Sequence, residues 1–114
     1  MVPMTVTSVR PMTGRICVVT GASSGIGKAT SVALASLGAT VVLVCRDQPR
    51  GDAAMAEVAA AANTSADRSG VEQGQTVPAG QPSLELGDLS SMEQVRAVAA
   101  RLAQLPRLDV LINN

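Results

Sequence analysis

Apolar residues in this chain fall into alternating runs, some short and continuous, others longer with a helical period. Ile16-Cys17-Val18-Val19, carried on to Thr20, is continuously apolar, as in a strand covered on both faces. From Ile26 the positions Ala29, Ala33, Leu34 and Leu37 trace one helix face, and Gly38 stands where a terminating glycine is expected. Thr40-Val41-Val42-Leu43-Val44-Cys45 is a second buried-strand run, rich in β-branched residues. Pro49 permits a helix start, and Met55, Val58, Ala59 and Ala62 give a second stripe. Leu84-Glu85-Leu86 predicts a short third strand. Ser90, with Glu93 three residues on, predicts a capping box ahead of the stripe Met92, Val95, Val98, Leu102 and Leu105. Pro106 closes that helix, and residues 108–112 form a last strand.

The order β-α-β-α-β-α-β predicts an α/β fold: a parallel sheet with helices on both faces and right-handed crossovers. Residues 63–82 break the rhythm with Asn, Thr, Ser, Gly, Gln and Pro, which predicts an exposed, disordered insertion, with a tail of the second helix as the alternative for its first half. The chain then divides into an N-terminal extension, 1–13, and one domain, 14–114.

Composition narrows the chemistry. Apolar residues make up 46% of the 114, yet Phe, Tyr and Trp are all absent. The core must come from Val, Leu, Ile, Met and Ala, which bury less area per residue than aromatics. Nine basic and nine acidic residues balance, so no basic face for nucleic acid is expected. No apolar run approaches the ~20 residues of a membrane helix, and Met1–Arg15 lacks the apolar stretch of a secretory signal. These features together favour a cytoplasmic address. With no histidine and only two cysteines, no familiar zinc pattern and no metal site are expected. Cys17 and Cys45 fall near opposite ends of the first two strands. An offset of about three residues, roughly 10 Å at strand rise, exceeds disulfide reach and predicts two buried free thiols.

Residues 20–27 read Thr-Gly-Ala-Ser-Ser-Gly-Ile-Gly, between the first strand and the first helical stripe. A strand, a glycine-rich turn and a helix start bring bare backbone N–H groups against a phosphate. Gly21, Gly25 and Gly27 follow Gly-x-x-x-Gly-x-Gly spacing rather than the usual dinucleotide fingerprint. Gly25 allows close backbone approach, and Ser23 and Ser24 can donate hydroxyls to phosphate or ribose. Lys28, Arg107 and Asp109 read as solvated charges.

Thr-Gly-x-x-x-Gly-Ile-Gly resembles the cofactor motif of the short-chain dehydrogenase/reductase superfamily. Asp88-Leu89, after the third strand, matches the acidic position with which that family holds the adenine ring. Leu111-Ile112-Asn113-Asn114 matches the start of its Asn-Asn-Ala-Gly motif. The resemblance covers the chain from Gly14 onward, apart from 63–82, and implies a partial doubly wound Rossmann sheet with strand order 3-2-1-4. The implied cofactor-binding residues are Gly21, Ser23, Ser24, Gly25, Ile26, Gly27, Arg46, Asp88, Leu89 and Asn114. Cys45 occupies the slot where an acidic residue would favour NAD. Arg46 follows it, and a guanidinium suits a 2′-phosphate, so NADP is the expected cofactor and NAD the alternative, in which Asp47 turns inward. Cys-Arg-Asp with Arg50-Gly51 resembles the retinol dehydrogenase-like branch.

The family's catalytic Tyr-x-x-x-Lys is not in this sequence, which has no tyrosine, so no catalytic residue is expected here. The expected function is the cofactor-binding portion of an NADP-dependent oxidoreductase for a carbonyl or alcohol substrate, truncated before its catalytic residues. The alternative is a short protein that binds dinucleotide or a partner without catalysis. A small-molecule substrate belongs only to a full-length protein, and oligomeric state is left open.

Overall fold

A computed structural model describes residues 10–69 and 81–114. Seven elements follow one another: β1 (Ile16–Thr20), α1 (Gly25–Ser36), β2 (Thr40–Cys45), α2 (Gln48–Ser69), β3 (Ser83–Leu86), α3 (Met92–Leu102) and β4 (Val110–Ile112). The strands form one parallel sheet in the order β3-β2-β1-β4, as the family resemblance implied. Its central strands are the two continuously apolar runs, and they begin and end where the sequence placed them.

Those runs are apolar throughout because both faces are covered. Cys17, Val19, Val41, Leu43 and Cys45 point into a cluster with Ala35, Ala54, Val58 and Ala62 of α1 and α2. Val18, Val42 and Val44 point the other way, onto Val98 of α3. Each such Val or Leu contributes about 1.5–3 kcal/mol relative to leaving it exposed. The pairing Cys17↔Val41 puts Cys45 four residues beyond Cys17's partner, one more than the sequence suggested. Both thiols are free and buried, and burial pushes the pKa of each up.

Connections match the local chemistry. Leu37 caps α1, and Gly38 follows with φ 101°, a conformation suited to glycine. Ser91, not Ser90, caps α3: its hydroxyl accepts from the Gln94 N–H at 3.3 Å. Ser90 is instead committed to Asp88, so the Ser90–Glu93 box expected from sequence is replaced by a Ser91–Gln94 cap one residue later.

The expected insertion is also revised, because α2 continues through residue 69. Buried Val58 and Ala62 anchor the helix. Residues 70–80 of that insertion, and 1–9 of the N-terminal extension, lie outside the described residues. The described part of the extension packs on the body: the Met12 N–H donates to the Leu37 carbonyl at 2.9 Å, and Met12 touches the α1/α2 core.

Arg107 and Asp109 are not merely solvated. Asp109 accepts from the Ile16 backbone N–H at 2.8 Å and from Arg107 at 2.6 and 2.9 Å, tying the start of β4 to the start of β1. Arg107 foremost, then the Ile16 N–H, hold its carboxyl below the ordinary 3.8. No helix among the described residues is long and apolar enough to cross a membrane.

Candidate functional site

In a parallel sheet every strand ends on the same side, so the segments after β1, β2, β3 and β4 meet at one edge. They enclose a cleft of about 490 Å³ lined by residues from each, including Thr20, Gly21, Arg46, Gly87, Asp88 and Asn114.

The turn after β1 is fixed by its backbone. The Gly21 and Ala22 N–H groups both donate to the Val44 carbonyl, at 3.0 and 3.4 Å. Gly21 and Gly25 have φ of 61° and 58°, which an L side chain adopts only with strain. Gly27 serves a different purpose. A Cβ there would stand 2.2 Å from the Gly21 carbonyl oxygen and 2.7 Å from Asn114 Nδ2. Its bare Cα lets the first turn of α1 press against the loop. Beyond Gly25, by contrast, a Cβ would meet nothing within 4 Å.

Within its own cap and first turn, the start of α1 is electrostatically unanswered. Ser24 caps it without a side-chain hydrogen bond, and its first turn holds no acidic residue. The orphan N–H groups and the positive end of the helix dipole are left for an anion. Lys28 is turned away: its ammonium pairs with Glu57 of α2 at 2.9 Å.

Asn114 and Thr20 close the turn from the β4 side. The Thr20 hydroxyl accepts from the Asn114 N–H at 2.9 Å and faces the Ile112 carbonyl and Asn113 Oδ1 at 3.4 and 3.3 Å. Asn114 Nδ2 donates to the Gly21 carbonyl at 3.2 Å.

Across the cleft the groups are charged side chains. Arg46 and Arg50 both line it, and Arg50 pairs with Asp47 at 3.6 Å, which holds Asp47 at the surface. Asp88 Oδ1 accepts from the Ser90 hydroxyl at 2.7 Å and the Ser90 N–H at 3.0 Å. Those bonds, helped by the charge of Arg46, hold its carboxyl below the ordinary 3.8. Cys45, only 4% exposed, gives the cleft a thiol where an acidic residue was the alternative. Burial keeps that thiol protonated, opposed by the Ala22 N–H and the Ser23 hydroxyl.

Of the residues expected from sequence, Gly21, Ser23, Ser24, Arg46, Asp88, Leu89 and Asn114 come together along the cleft. Gly25, Ile26 and Gly27 lie in the first turn of α1 beside it and do not line it; Ile26 is 76% exposed. Sequence reasoning missed Thr20, Val44, Arg50, Gly87 and Ser90 as lining residues, and left Cys45 of the ribose-reading slot and Asn113 of the Asn-Asn motif out of the cofactor-binding set. Gly87 had a signal, as the glycine next to Asp88: a Cβ there would stand 2.4 Å from Val98 Cγ2, so it lets α3 close on the strand end.

The family model described as short chain dehydrogenase matches residues 15–114. Dehydrogenase/reductase SDR family member 13 of Homo sapiens is 44% identical over 102 residues, covering 89% of this chain and 23% of that protein. Retinol dehydrogenase 14 of Homo sapiens is 39% identical over 104 residues, covering 90% and 30%. Among solved structures, a metagenomic short-chain oxidoreductase in complex with NADP superposes with a TM-score of 0.66 at 36% identity, over 88% of this chain and 38% of that one. A short-chain type dehydrogenase/reductase from Mycobacterium ulcerans gives 0.68 at 27% identity, over 90% and 32%. The chain thus spans 23–30% of the length of these two curated relatives. Match, sheet order and cleft agree: this chain belongs to the short-chain dehydrogenase family and carries its Rossmann-like nucleotide-binding fold.

Proposed function

We propose that this chain is the cofactor-binding portion of an NADP-dependent oxidoreductase acting on a carbonyl or alcohol. The observation that carries it is the undefended start of α1 opening, past the bare face of Gly25, into a cleft with arginines on its far side. In this reading the backbone of residues 23–27 takes the pyrophosphate, helped by the Ser23 and Ser24 hydroxyls. The Asp88 carboxylate and the Leu89 backbone receive the adenine. Arg46 takes the 2′-phosphate, and neutral Cys45 removes the charge that would repel it. Asn114, fixed on Gly21, borders the pyrophosphate end.

When bound, the cofactor supplies a nicotinamide that exchanges hydride with substrate. The residues of this chain bind and orient it, and they include no tyrosine to move the accompanying proton. The relatives' names, one a dehydrogenase/reductase and one a retinol dehydrogenase, support an oxidoreductase setting, and the NADP complex supports the cofactor.

Calorimetric titration of the chain with NADP and with NAD tests this. Saturable binding, tighter for NADP, is expected. Absence of saturable binding of either at millimolar concentration overturns it.

A further inference from the structure

Asp88 is held more firmly than its exposure requires. Its Oδ1 takes both the hydroxyl and the backbone N–H of Ser90, at 2.7 and 3.0 Å. Its own backbone N–H donates to Gln94 Oε1 at 2.7 Å. Its carbonyl accepts from the Ser91 N–H at 3.0 Å. Gln94 is in turn fixed at the start of α3, where its N–H meets the Ser91 hydroxyl at 3.3 Å. Among the described residues no hydrogen bond reaches Oδ2. One carboxylate oxygen is therefore saturated, the backbone that carries it is pinned from α3, and the other oxygen is left with lone pairs at the cleft edge.

Resting on the cofactor assignment above, we propose that Ser90 and Gln94 are positioning residues that present Asp88 Oδ2 as a fixed acceptor, making the cleft selective for a base with an exocyclic amine. Adenine carries a donor at that position. Hypoxanthine carries a carbonyl oxygen there, and two acceptors face to face lose the hydrogen bond and repel. A carboxylate free to rotate and withdraw could avoid that oxygen by turning to solvent. A carboxylate locked through Oδ1 cannot, so the lock supplies discrimination rather than simple affinity. Ser90's bonds are also the leading cause of the lowered Asp88 pKa, in keeping with an oxygen kept as a pure acceptor.

The test compares NADP with nicotinamide hypoxanthine dinucleotide phosphate by calorimetry on the unaltered chain and on Ser90→Ala, Ser90→Thr and Gln94→Leu. The unaltered chain should prefer the adenine form roughly tenfold, the scale of one hydrogen bond to a charged group. Ser90→Ala and Gln94→Leu should each shrink that preference to about twofold, and Ser90→Thr, which keeps the hydroxyl, should restore it. Titration of the Asp88 carboxyl by NMR should show its pKa rising toward the ordinary 3.8 in Ser90→Ala and staying low in Ser90→Thr. Retained adenine preference in both Ser90→Ala and Gln94→Leu overturns this inference alone. Binding of neither NAD nor NADP by the unaltered chain overturns the cofactor assignment and this inference with it.

Discussion

On one side of the cleft, Gly21, Gly27, Thr20 and Asn114 hold one another through hydrogen bonds between uncharged side chains and backbone and through contacts too close for a Cβ. On the other, Arg46, Arg50 and Asp88 reach in as side chains from the ends of β2 and β3 and the start of α2. The first rim offers direction without side-chain charge. The second offers charge, with Asp88 held by Ser90 and Gln94 and Arg50 paired with Asp47. Altering the first rim should therefore cost fold and binding together, whereas altering the second should change which ligand is preferred and leave the fold intact.

Gly27→Ala should have the largest effect. Its methyl would meet a backbone carbonyl at 2.2 Å, which neither helix nor turn can yield cheaply. A loss at or above the upper end of the about 1–3 kcal/mol typical of overpacking is expected in denaturant unfolding. A variant as stable as the parent would mean that α1 does not press on the turn.

Thr20→Val comes next. The Asn114 N–H and the carbonyl of Ile112 would lose their shared hydroxyl, costing about 1–3 kcal/mol at a mostly buried position. Hydrogen exchange of the Asn114 amide should quicken more than that of β2 amides, and equal change in both would count against the link.

Gly25→Ala divides the comparison most sharply. The methyl meets nothing in the protein, so only the strain of φ 58° is felt, about 1–2 kcal/mol. On the proposed function it would nonetheless stand where the phosphate approaches. A folded chain with lost NADP binding is expected; unchanged affinity would move the phosphate elsewhere.

Arg46→Ala should leave unfolding unchanged and weaken NADP roughly tenfold, with NAD little affected. Equal weakening of both would remove Arg46 from the 2′-phosphate.

The smallest effect is acid-dependent, and it belongs to the charged rim. Asp88's carboxyl lies below its ordinary 3.8, so the stability it contributes is complete above that value and is lost as pH falls through the lowered one. Asp88→Asn should remove this slice, which is lost as pH falls below the ordinary 3.8 and through the lowered value, leaving the contribution of Asp109, which has the same sign. Identical acid unfolding of parent and variant would show that Ser90 does not hold the carboxylate.

The two rims also differ in how much of each was legible in the sequence. The turn rim was legible in its glycines, because glycine spacing between a buried-strand run and a helical stripe encodes backbone conformation directly, whereas Asn114 came from the family resemblance and Thr20 was missed. Both central strands were legible for the same reason: only a strand covered on two faces needs an unbroken apolar run such as Thr40–Cys45. The charged rim was partly legible. Arg46 and Asp88 stood out by their place after strands, whereas Arg50 and Ser90 depend on how the start of α2 and the loop before α3 fold back. Neighbouring serines hid the cap of α3, since Ser90 and Ser91 offer the same chemistry and only the loop's path assigns one to Asp88 and the other to Gln94. The extension of α2 to Ser69 was hidden because Asn63, Thr64, Ser65 and Asp67 are residue types that mark turns in a sequence. Asp109 read as a surface charge because nothing local announces that the Ile16 N–H will lie 2.8 Å from it.

If both rims act on one dinucleotide, amide chemical shifts of the chain during NADP titration should saturate at Ser23–Gly27, at Arg46 and at Asp88–Ser90 with a single dissociation constant. Ala99–Leu105, at the far end of α3, should stay still. Shifts confined to one rim, or centred on Ala99–Leu105, would contradict a shared dinucleotide.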